Sequence, residues 1–336
     1  MMTFKDVLEI KNGKNQKAVE DPEGKYPIYG SGGIMGHANN YICKGQTVII
    51  GRKGNINNPI FVEEPFWNVD TAFGLEANTK ILKPRYLFYF CKHYNFEKLN
   101  KTVTIPSLTK ADLMKIEINL PKLEEQQIII NILLKIEEII RLRKSEIQTL
   151  DNLIKARFVE MFGDPILNTQ NRPTTDFVNV VTMQRGFDLP VQERHQNGEI
   201  NVYGANGPLD HHNTPKIFGG GIITGRSGTI GNVYYTLDDY WPLNTTLFSV
   251  DMHGNNIIYL AYLLQLYNLS RFVEGTGVPT LNRNKFHNKP IIDVPVKEQD
   301  KFASFVLQLN KIKAVVKKAQ DKTQLLFDSI IQHYFI

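Results

Sequence analysis

The pattern of apolar and polar positions changes three times along the chain. Up to about residue 121, short apolar alternations such as Val7-Leu8-Glu9-Ile10 are broken by Gly, Pro and Asn, which is typical of short strands joined by turns. From residue 122 to 162 there is no Gly or Pro, and apolar residues recur at alternating steps of four and three. A second turn-rich segment, 163–295, and a second helical segment, 296–336, follow. The pattern predicts two modules of short strands, each followed by one long helix.

Each predicted helix carries one apolar stripe. The first stripe consists of Ile129, Leu133, Ile136, Ile140, Ile147, Leu150 and Ile154, with Arg143 as its one interruption. The second consists of Phe302, Phe305, Leu309, Ile312, Val316, Ala319, Leu326 and Ile330, with Thr323 inside it. At about 1.5 Å per residue each helix is about 60 Å long, and it cannot bury its stripe alone.

Two arrangements bury these stripes. Each helix packs either on its own module or on the other helix as an antiparallel coiled coil. We favour the coiled coil, because pseudo-twofold symmetry then needs no long return connection. In that arrangement Arg143 is expected opposite the break at Ala319–Thr323, where it helps to fix the register.

The whole chain repeats itself at an offset of 173 or 174 residues. Features in register include Tyr29-Gly30 with Tyr203-Gly204, residues 51–56 (GRKGNI) with 225–230 (GRSGTI), Trp67 with Trp241, Pro106 with Pro279, and Phe162 with Phe335. Many matches in the same order indicate duplication. We therefore predict an α+β fold in which two globular α/β modules, residues 1–121 and 163–295, are separated by two long helices, residues 122–162 and 296–336.

Composition narrows the class of protein. The chain has 336 residues, 42% of them hydrophobic, which is enough for ordinary cores. A formal net charge of +5 permits an anionic partner without requiring one. Two cysteines exclude a disulfide scaffold and a four-thiolate zinc site. With no signal core and no long apolar run, we expect a cytoplasmic protein without a membrane partner.

The turn-rich loops of each module carry the candidate DNA-binding side chains. Glycine lets backbone approach a ligand closely, arginine suits phosphate or a guanine edge, and His and Asn read base edges. The candidates in the first module are Ser31, His37, Asn39, Asn40, Arg52, Lys53, Thr104, Ser107 and Lys110. Those in the second are Asn206, His211, His212, Asn213, Arg226, Ser227, Thr280, Asn282, Arg283 and Lys285. Any one loop is also explained as an ordinary turn. Because the loops recur at one offset with different polar residues, we favour two related modules that recognise different targets.

No catalytic constellation emerges from the sequence. The glycine run at 30–36 misses the dinucleotide-binding pattern at Met35, and no phosphate-binding lysine motif, serine nucleophile elbow or zinc-protease helix occurs. His211 and His212 have no further ligand at metal spacing, so no metal site is predicted. Glu23 and Lys25 have a nuclease-like spacing but stand in a turn, and we assign them to the surface. We expect a chain that is not itself an enzyme.

Several segments together resemble the DNA-specificity (S, or HsdS) subunit of Type I restriction–modification enzymes. They are Tyr-Gly-Ser-Gly-Gly at 29–33, Gly-Arg-Lys-Gly at 51–54, residues 105–113, Leu-Pro-Lys-Leu-Glu-Glu-Gln at 120–126 and Met-Phe-Gly-Asp-Pro at 161–165. A weaker match to the segment at 120–126, Val-Pro-Val-Lys-Glu-Gln, lies at 294–299. The resemblance covers essentially the whole chain.

The resemblance implies a function and a set of partners. It implies that each module reads one half of a bipartite target in double-stranded DNA, while the paired helices set the spacer and dock two modification (methyltransferase) subunits. It also implies that restriction/translocase subunits join, and that S-adenosylmethionine, ATP and Mg bind those partners and not this chain. The alternatives are a free-standing recognition subunit of a Type II-like system, a non-catalytic coiled-coil scaffold, and a fused restriction enzyme with unrecognised catalytic residues.

Overall fold

The computed structural model describes residues 2–100, 105–195, 197–274 and 279–335. In the first module the strands are β1 (Met2–Thr3), β2 (Leu8–Asn12), β3 (Tyr26–Gly30), β4 (Gly33–Ala38), β5 (Thr47–Gly51), β6 (Ile60–Val62), β7 (Trp67–Asn68), β8 (Ala72–Ala77) and β9 (Glu117–Ile118). In the second they are β10 (Thr174–Asp176), β11 (Thr182–Arg185), β12 (Ile200–Gly204), β13 (Gly207–His212), β14 (Gly221–Gly225), β15 (Val233–Thr236), β16 (Tyr240–Pro242), β17 (Thr246–Asp251), β18 (Val273–Glu274), β19 (Thr280–Leu281) and β20 (Pro290–Ile292). The helices are α1 (Phe4–Val7), α2 (Pro84–His93), α3 (Lys110–Leu113), α4 (Leu123–Phe162), α5 (Phe177–Val180), α6 (Ile257–Tyr267) and α7 (Val296–Phe335), with 3₁₀ turns at Phe96–Leu99, Val191–Glu193, Leu269–Phe272 and Arg283–Lys285.

The two modules have the same sheet topology. In the first, a four-stranded sheet has the order β2-β8-β5-β6 and a three-stranded sheet the order β4-β3-β7. In the second, the corresponding orders are β11-β17-β14-β15 and β13-β12-β16. The unusual parallel pairs, β3 with β7 and β12 with β16, also correspond. The predicted α+β fold with two tandem modules is confirmed.

The compact units of the molecule do not follow the four predicted segments. One unit combines Met1–Lys144 with Lys318–Ile336, and the other is Ser145–Lys317. Each unit therefore contains one module, the start of the helix that follows it and the end of the other long helix. The predicted boundaries at residues 121, 162 and 295 were drawn from changes in composition, whereas the compact units are defined by contacts. The units therefore do not test these boundaries, which stay predictions.

Within each unit the two long helices run antiparallel. In the first unit the Arg143 guanidinium donates to the carbonyl of Ala319 and the hydroxyl of Thr323. Also in the first unit, the Lys92 ammonium pairs with Glu137 of α4 at 3.0 Å and lies 5.4 Å from the ring centre of Phe327 of α7. In the second unit the Lys313 ammonium donates to the carboxylate of Asp151, and the ring centroids of Phe162 and Phe302 are 5.8 Å apart. In each unit the contacts on α7 move to lower residue numbers as those on α4 move to higher ones, so the pairing is antiparallel, and Arg143 lies at the predicted break.

Each helix also packs on its own module, so the two arrangements weighed above are not exclusive. Ile129 and Leu133 near the start of α4 are buried in the same core as Tyr86 and Leu87 of α2. The Tyr89 hydroxyl of α2 donates to Glu137 of α4 over 2.7 Å. Helix α4 therefore buries a face against its module as well as against α7.

The apolar stripes are buried to different extents. Ile129, Leu133, Ile136, Ile154, Phe302 and Leu309 are buried, whereas Ile140, Ile147, Leu150, Phe305, Val316 and Ile330 are half-buried. Ile312 and Leu326 differ from the prediction, being 46% and 52% exposed. Phe327 and Ile331 are buried near the end of α7 instead, because this part of α7 also faces α2, where the Phe327 ring meets that of Tyr89 at 6.4 Å.

A fully buried glutamine joins the start of α4 to the first module. The side-chain oxygen of Gln126 accepts from the backbone N–H of Lys83 at 2.8 Å, at the start of α2. Its amide nitrogen donates to the carbonyls of Ile81 and Pro121, each at 2.9 Å. Gln126 thereby provides partners for three backbone groups of residues just before the two helices.

A buried glutamine with corresponding backbone hydrogen bonds occurs in the second module. Gln299 is also fully buried, accepts from the backbone N–H of Asn256 at 2.8 Å, and donates to the carbonyl of Val294 at 2.7 Å. Its second donated bond goes to Asn255 Oδ1 at 2.6 Å. The Gln in both helix-start motifs therefore has a structural explanation.

Candidate nucleic-acid interface

Two of the predicted polar loops of the first module are joined by backbone contacts. Lys53, in the loop after β5, forms an isolated β-bridge with Ser107. The backbone N–H of Leu108 donates to the carbonyl of Arg52 at 2.9 Å. The sequence separates these loops by more than fifty residues, and the fold brings their backbones into contact.

The second module repeats this junction. Ser227 forms an isolated bridge with Thr280, and the N–H of Leu281 donates to the carbonyl of Arg226 at 2.8 Å. The N–H of Arg226 in turn donates to the carbonyl of Thr245 at 2.8 Å. Arg52 makes the corresponding bond to Thr71 at 2.7 Å in the first module.

The turn of the β3–β4 hairpin adjoins the same loop, at a glycine that has no room for a side chain. A Cβ added at Gly51 would lie 2.1 Å from the carbonyl oxygen of Asn55 and 3.1 Å from the Cβ of Ser31. In the second module a Cβ at Gly225 would lie 3.1 Å from the carbonyl oxygen of Ala205. Three loops therefore meet in each module, and we call this arrangement the three-loop junction. They are the hairpin turn (residue 31 or 205), the arginine loop (residues 52–54 or 226–228) and the helix-proximal segment (residues 107–110 or 280–283).

The junctions share a backbone and differ in their side chains. Arg52 and Lys53 are exposed in the first module, and the Arg52 guanidinium lies 5.7 Å from the ring centre of Phe73. Arg226 and Ser227, at the corresponding positions, are half-buried. The first junction therefore offers two exposed cations where the second offers one half-buried arginine and a hydroxyl.

Two predicted cationic residues are used inside their modules. The Lys110 ammonium donates to the carbonyl of Ile10 at 2.7 Å, and the Arg283 guanidinium donates to the carbonyl of Met183 at 3.3 Å. These corresponding contacts tie the helix-proximal segment to the first strand of the four-stranded sheet. The sequence identified the cations, but not the carbonyls that engage them.

Two predicted polar residues also have internal partners. Asn39 donates to the carboxylate of Asp21 at 2.7 Å, and this bond lowers the pKa of Asp21. The side chain of Asn282 accepts from the backbone N–H of Asn284 at 3.0 Å and caps a 3₁₀ turn.

His212 is half-buried in a stack of aromatic rings. Its ring is stacked on that of His195 at 5.4 Å between centroids, and it meets Trp241 edge-on at 5.1 Å. Its Nδ1 and the indole nitrogen of Trp241 are buried without a hydrogen-bond partner in the described chain. His212 therefore packs against Trp241, and its assignment to DNA stays a prediction.

The remaining candidates lie on or near the surface. His37, Asn40, Asn206, His211, Asn213 and Lys285 are exposed, while Ser31, Ser107 and Thr280 are half-buried. Thr104 lies outside the described residues. The assignment of all these residues to DNA stays a prediction.

His287 lies at the base of the second junction and was not predicted from the sequence. Its Nε2 accepts from the backbone N–H of Met183 at 3.2 Å, and burial, followed by the charge of Arg283, lowers the pKa of its imidazole. A neutral ring is needed for this acceptance, so His287 supports the strand. The sequence offered no signal for it, because its partner is a backbone group about a hundred residues away.

Within the described ranges, no group of three or more His, Cys, Asp or Glu side chains is arranged to hold a metal ion. No helix in that part of the chain is both long and apolar enough to cross a membrane.

A family model of the Type I restriction modification DNA specificity domain matches residues 1–152 and 168–325. The chain belongs to this family. Its two matched regions coincide with the two copies seen in the sheets, and its α+β fold with long helices is that of Type I specificity subunits.

One relative and one solved structure are similar to this chain over most of its length, and a second relative over less than half of it. A putative type I specificity subunit of Mycoplasma pneumoniae, S.MpnORF507P, is 20% identical over 90% of this chain and 86% of its own length. A second from that organism, S.MpnORF285P, is 26% identical over 45% of this chain, a match that spans 56% of the relative's length. The crystal structure of the S subunit of a Type I restriction–modification system from M. genitalium has a TM-score of 0.65 at 19% identity, over 99% of this chain and 95% of that one.

Proposed function

We propose that the chain reads a bipartite DNA target, with one half recognised by each module, as the specificity subunit of a Type I restriction–modification enzyme. The observation that supports this most is the three-loop junction, because its backbone is repeated in both modules while its side chains differ. A shared backbone that carries different polar side chains suits the recognition of two different DNA half-targets. The proposal places the chain in the cytoplasm with the host DNA.

The junctions supply the two kinds of contact that DNA recognition needs. Exposed Arg52 and Lys53 suit phosphate or a guanine edge, and Arg226 occupies the corresponding place in the second module. Gly51 and Gly225 leave no room for a side chain where the loops meet, so the loop backbones lie close together. Contacts to phosphate position each module, and contacts to base edges specify its half-target.

The long helices are proposed to set the spacer and to dock two modification subunits. Each helix keeps large apolar side chains exposed although both already bury a stripe, and such side chains suit a protein partner. The most exposed are Ile128, Leu142, Leu153, Val315, Leu325 and Leu326. In this proposal the partners supply the catalysis, hold S-adenosylmethionine, ATP and Mg, and include restriction/translocase subunits.

Duplication of one module tests whether each module recognises its own half-target. A chain in which residues 163–295 are replaced by a second copy of residues 1–121, assembled with the modification subunits, is expected to methylate a target in which the first half-sequence occurs twice as an inverted repeat. Sequencing of methylated sites in host DNA reports the target directly. Retention of the parental target would refute modular reading, and absence of any methylation in the wild-type assembly would refute the function itself.

Insertion of one heptad into both helices tests the spacer. Seven residues preserve the apolar register, so the same half-sequences should be methylated across a longer gap. Recovery of the original gap from the methylated sites would contradict the role of the helices as spacer.

The arginine loops provide the residue-level test. Arg52→Ala is expected to weaken binding to the first half-target and Arg226→Ala to the second, each about tenfold at fixed salt. Arg141→Ala is the matched control, since Arg141 is an exposed helix residue paired with Glu138 at 2.6 Å. An equal loss of affinity in the control would show that the effect comes from removing any positive charge and not from a contact of the arginine loops.

A further inference from the structure

The hairpin of the first module contains a β-bulge whose extra residue is apolar. Ile28 of β3 pairs with Gly36 of β4, but the next residue, Tyr29, pairs with Ile34. Met35 is therefore the additional residue. A bulge turns its extra side chain away from the regular alternation of the strand, and bulges are frequent beside functional sites.

The hairpin of the second module contains the same bulge. Val202 of β12 pairs with Asp210 of β13, whereas Tyr203 pairs with Pro208, so Leu209 is the additional residue. Two modules with different loop side chains thus keep an irregularity at one position, and both place a large apolar residue there.

Both bulge residues are exposed and yet held in place. Met35 is 61% exposed and Leu209 is 50% exposed. Each lies over a glycine of the preceding strand, since a Cβ at Gly30 would lie 2.6 Å from the sulfur of Met35 and one at Gly204 would lie 2.2 Å from Cδ2 of Leu209. Because these glycines have no side chain, Met35 and Leu209 pack directly against the preceding strand, and the rest of each side chain is exposed to solvent.

The surroundings of the bulges suit DNA bases better than an apolar protein surface. The hairpin turn adjoins the arginine loop at Gly51 and Gly225, and exposed His37 and His211 follow the bulges by two residues. Asp210, beside Leu209, has its carboxylate 3.7 Å from the guanidinium of Arg194. An apolar side chain within a cationic and polar rim matches the thymine C5-methyl group, which protrudes into a major groove that accepts a two-stranded ribbon.

We propose that Met35 and Leu209 each contact the C5-methyl group of one thymine, Met35 in the first half-target and Leu209 in the second. This inference rests on the proposed function, because it assumes that the junctions face DNA. It adds thymine recognition by apolar contact to the contacts expected from the arginine loops.

Replacement of thymine by deoxyuracil tests the contact, because uracil lacks the methyl group and keeps the pairing. The target is first established from methylated sites, and duplexes are then made with each thymine replaced in turn. Binding of the assembled complex is measured by fluorescence anisotropy at one salt concentration. One replacement in each half-target is expected to weaken wild-type binding about fourfold, which is the effect of losing one buried methyl group.

The variants assign each thymine to a residue. Met35→Ala should bind the thymine and uracil duplexes of the first half equally and keep full discrimination in the second half, which shows that the chain is folded. Leu209→Ala should do the reverse. Leu237→Ala is the control, because Leu237 is 55% exposed in the second module but lies outside the hairpin, and it should discriminate in both halves.

The possible failures are distinguishable. If the wild-type complex prefers its target over a scrambled duplex but tolerates every uracil, or if the variants discriminate as the wild type does, the thymine contact is refuted and the proposed function stands. If the wild-type complex has no preference for its target, the proposed function fails, and this inference with it.

Discussion

Removal of the buried glutamine at the start of α4 is expected to destabilise the first unit strongly. Gln126→Ala leaves the N–H of Lys83 and the carbonyls of Ile81 and Pro121 without their partner. A buried polar group that loses its partner costs about 1–3 kcal/mol. These three residues are half-buried, so we take the lower end for each and expect a loss of about 3 kcal/mol.

A loss of this size is a large fraction of the stability of a domain, about 5–15 kcal/mol. It is measurable separately for each unit, because the only two tryptophans are Trp67 in the first unit and Trp241 in the second. Trp67 is 8% exposed and its indole N–H donates to the carbonyl of Lys14 at 3.0 Å, so unfolding changes its environment. In a Trp241→Phe background, guanidinium unfolding followed by fluorescence reports the first unit.

The adjacent residue is the matched control. Gln127 is half-buried and donates to Asn131 on the helix surface at 2.8 Å, so Gln127→Ala should stay within about 0.5 kcal/mol of the parent. The reciprocal variant, Gln299→Ala, should lower the transition seen at Trp241. A loss below about 1 kcal/mol for Gln126→Ala, or an equal loss in the control, would refute the reasoning from unsatisfied backbone groups.

Three further predictions follow from groups within single units. Arg143→Met removes the guanidinium bonds to α7 and should lower the thermal midpoint by a few degrees, whereas Lys144→Met, at an exposed neighbour, should not. Burial raises the pKa of the Cys43 thiol to about 12 and raises that of Cys91 as well, so at pH 8 the native chain should react with a thiol reagent far more slowly than the chain in guanidinium; equal rates would contradict this. Burial raises the pKa of Tyr262 to about 12, so the folded state keeps a proton that the unfolded chain loses from about pH 10, and stability falls between these values; Tyr262→Phe should make that fall shallower in denaturant titrations at pH 9–12.

The architecture was predictable where it depends on local periodicity. The helices α4 and α7 begin and end within a residue or two of the stretches without Gly and Pro. The placement of Arg143 opposite Thr323 followed from the antiparallel pairing of two interrupted stripes. Such features are repeated every few residues, so even a single sequence contains many copies of the signal.

What was not predictable depends on contacts between distant segments. The exposure of Leu326 reflects the packing of α7 on α2, which no heptad pattern of α7 contains. Likewise, Lys110 and Arg283 look like free cations in the sequence, and only the fold shows the carbonyls of Ile10 and Met183 beside them. Long-range partners of polar side chains leave no periodic trace in the chain.

The duplication itself separates structural from recognition residues in the candidate interface. Gln126 and Gln299 occupy corresponding positions and satisfy backbone groups at corresponding helix starts, which is what folding requires of both copies. At the three-loop junction the backbone bonds correspond while exposed Lys53 is replaced by half-buried Ser227. Folding alone gives no reason for that difference, because both residues form the same bridge. The side chains that differ between the two junctions, on backbones that correspond, are therefore the ones that we expect to recognise the two different half-targets.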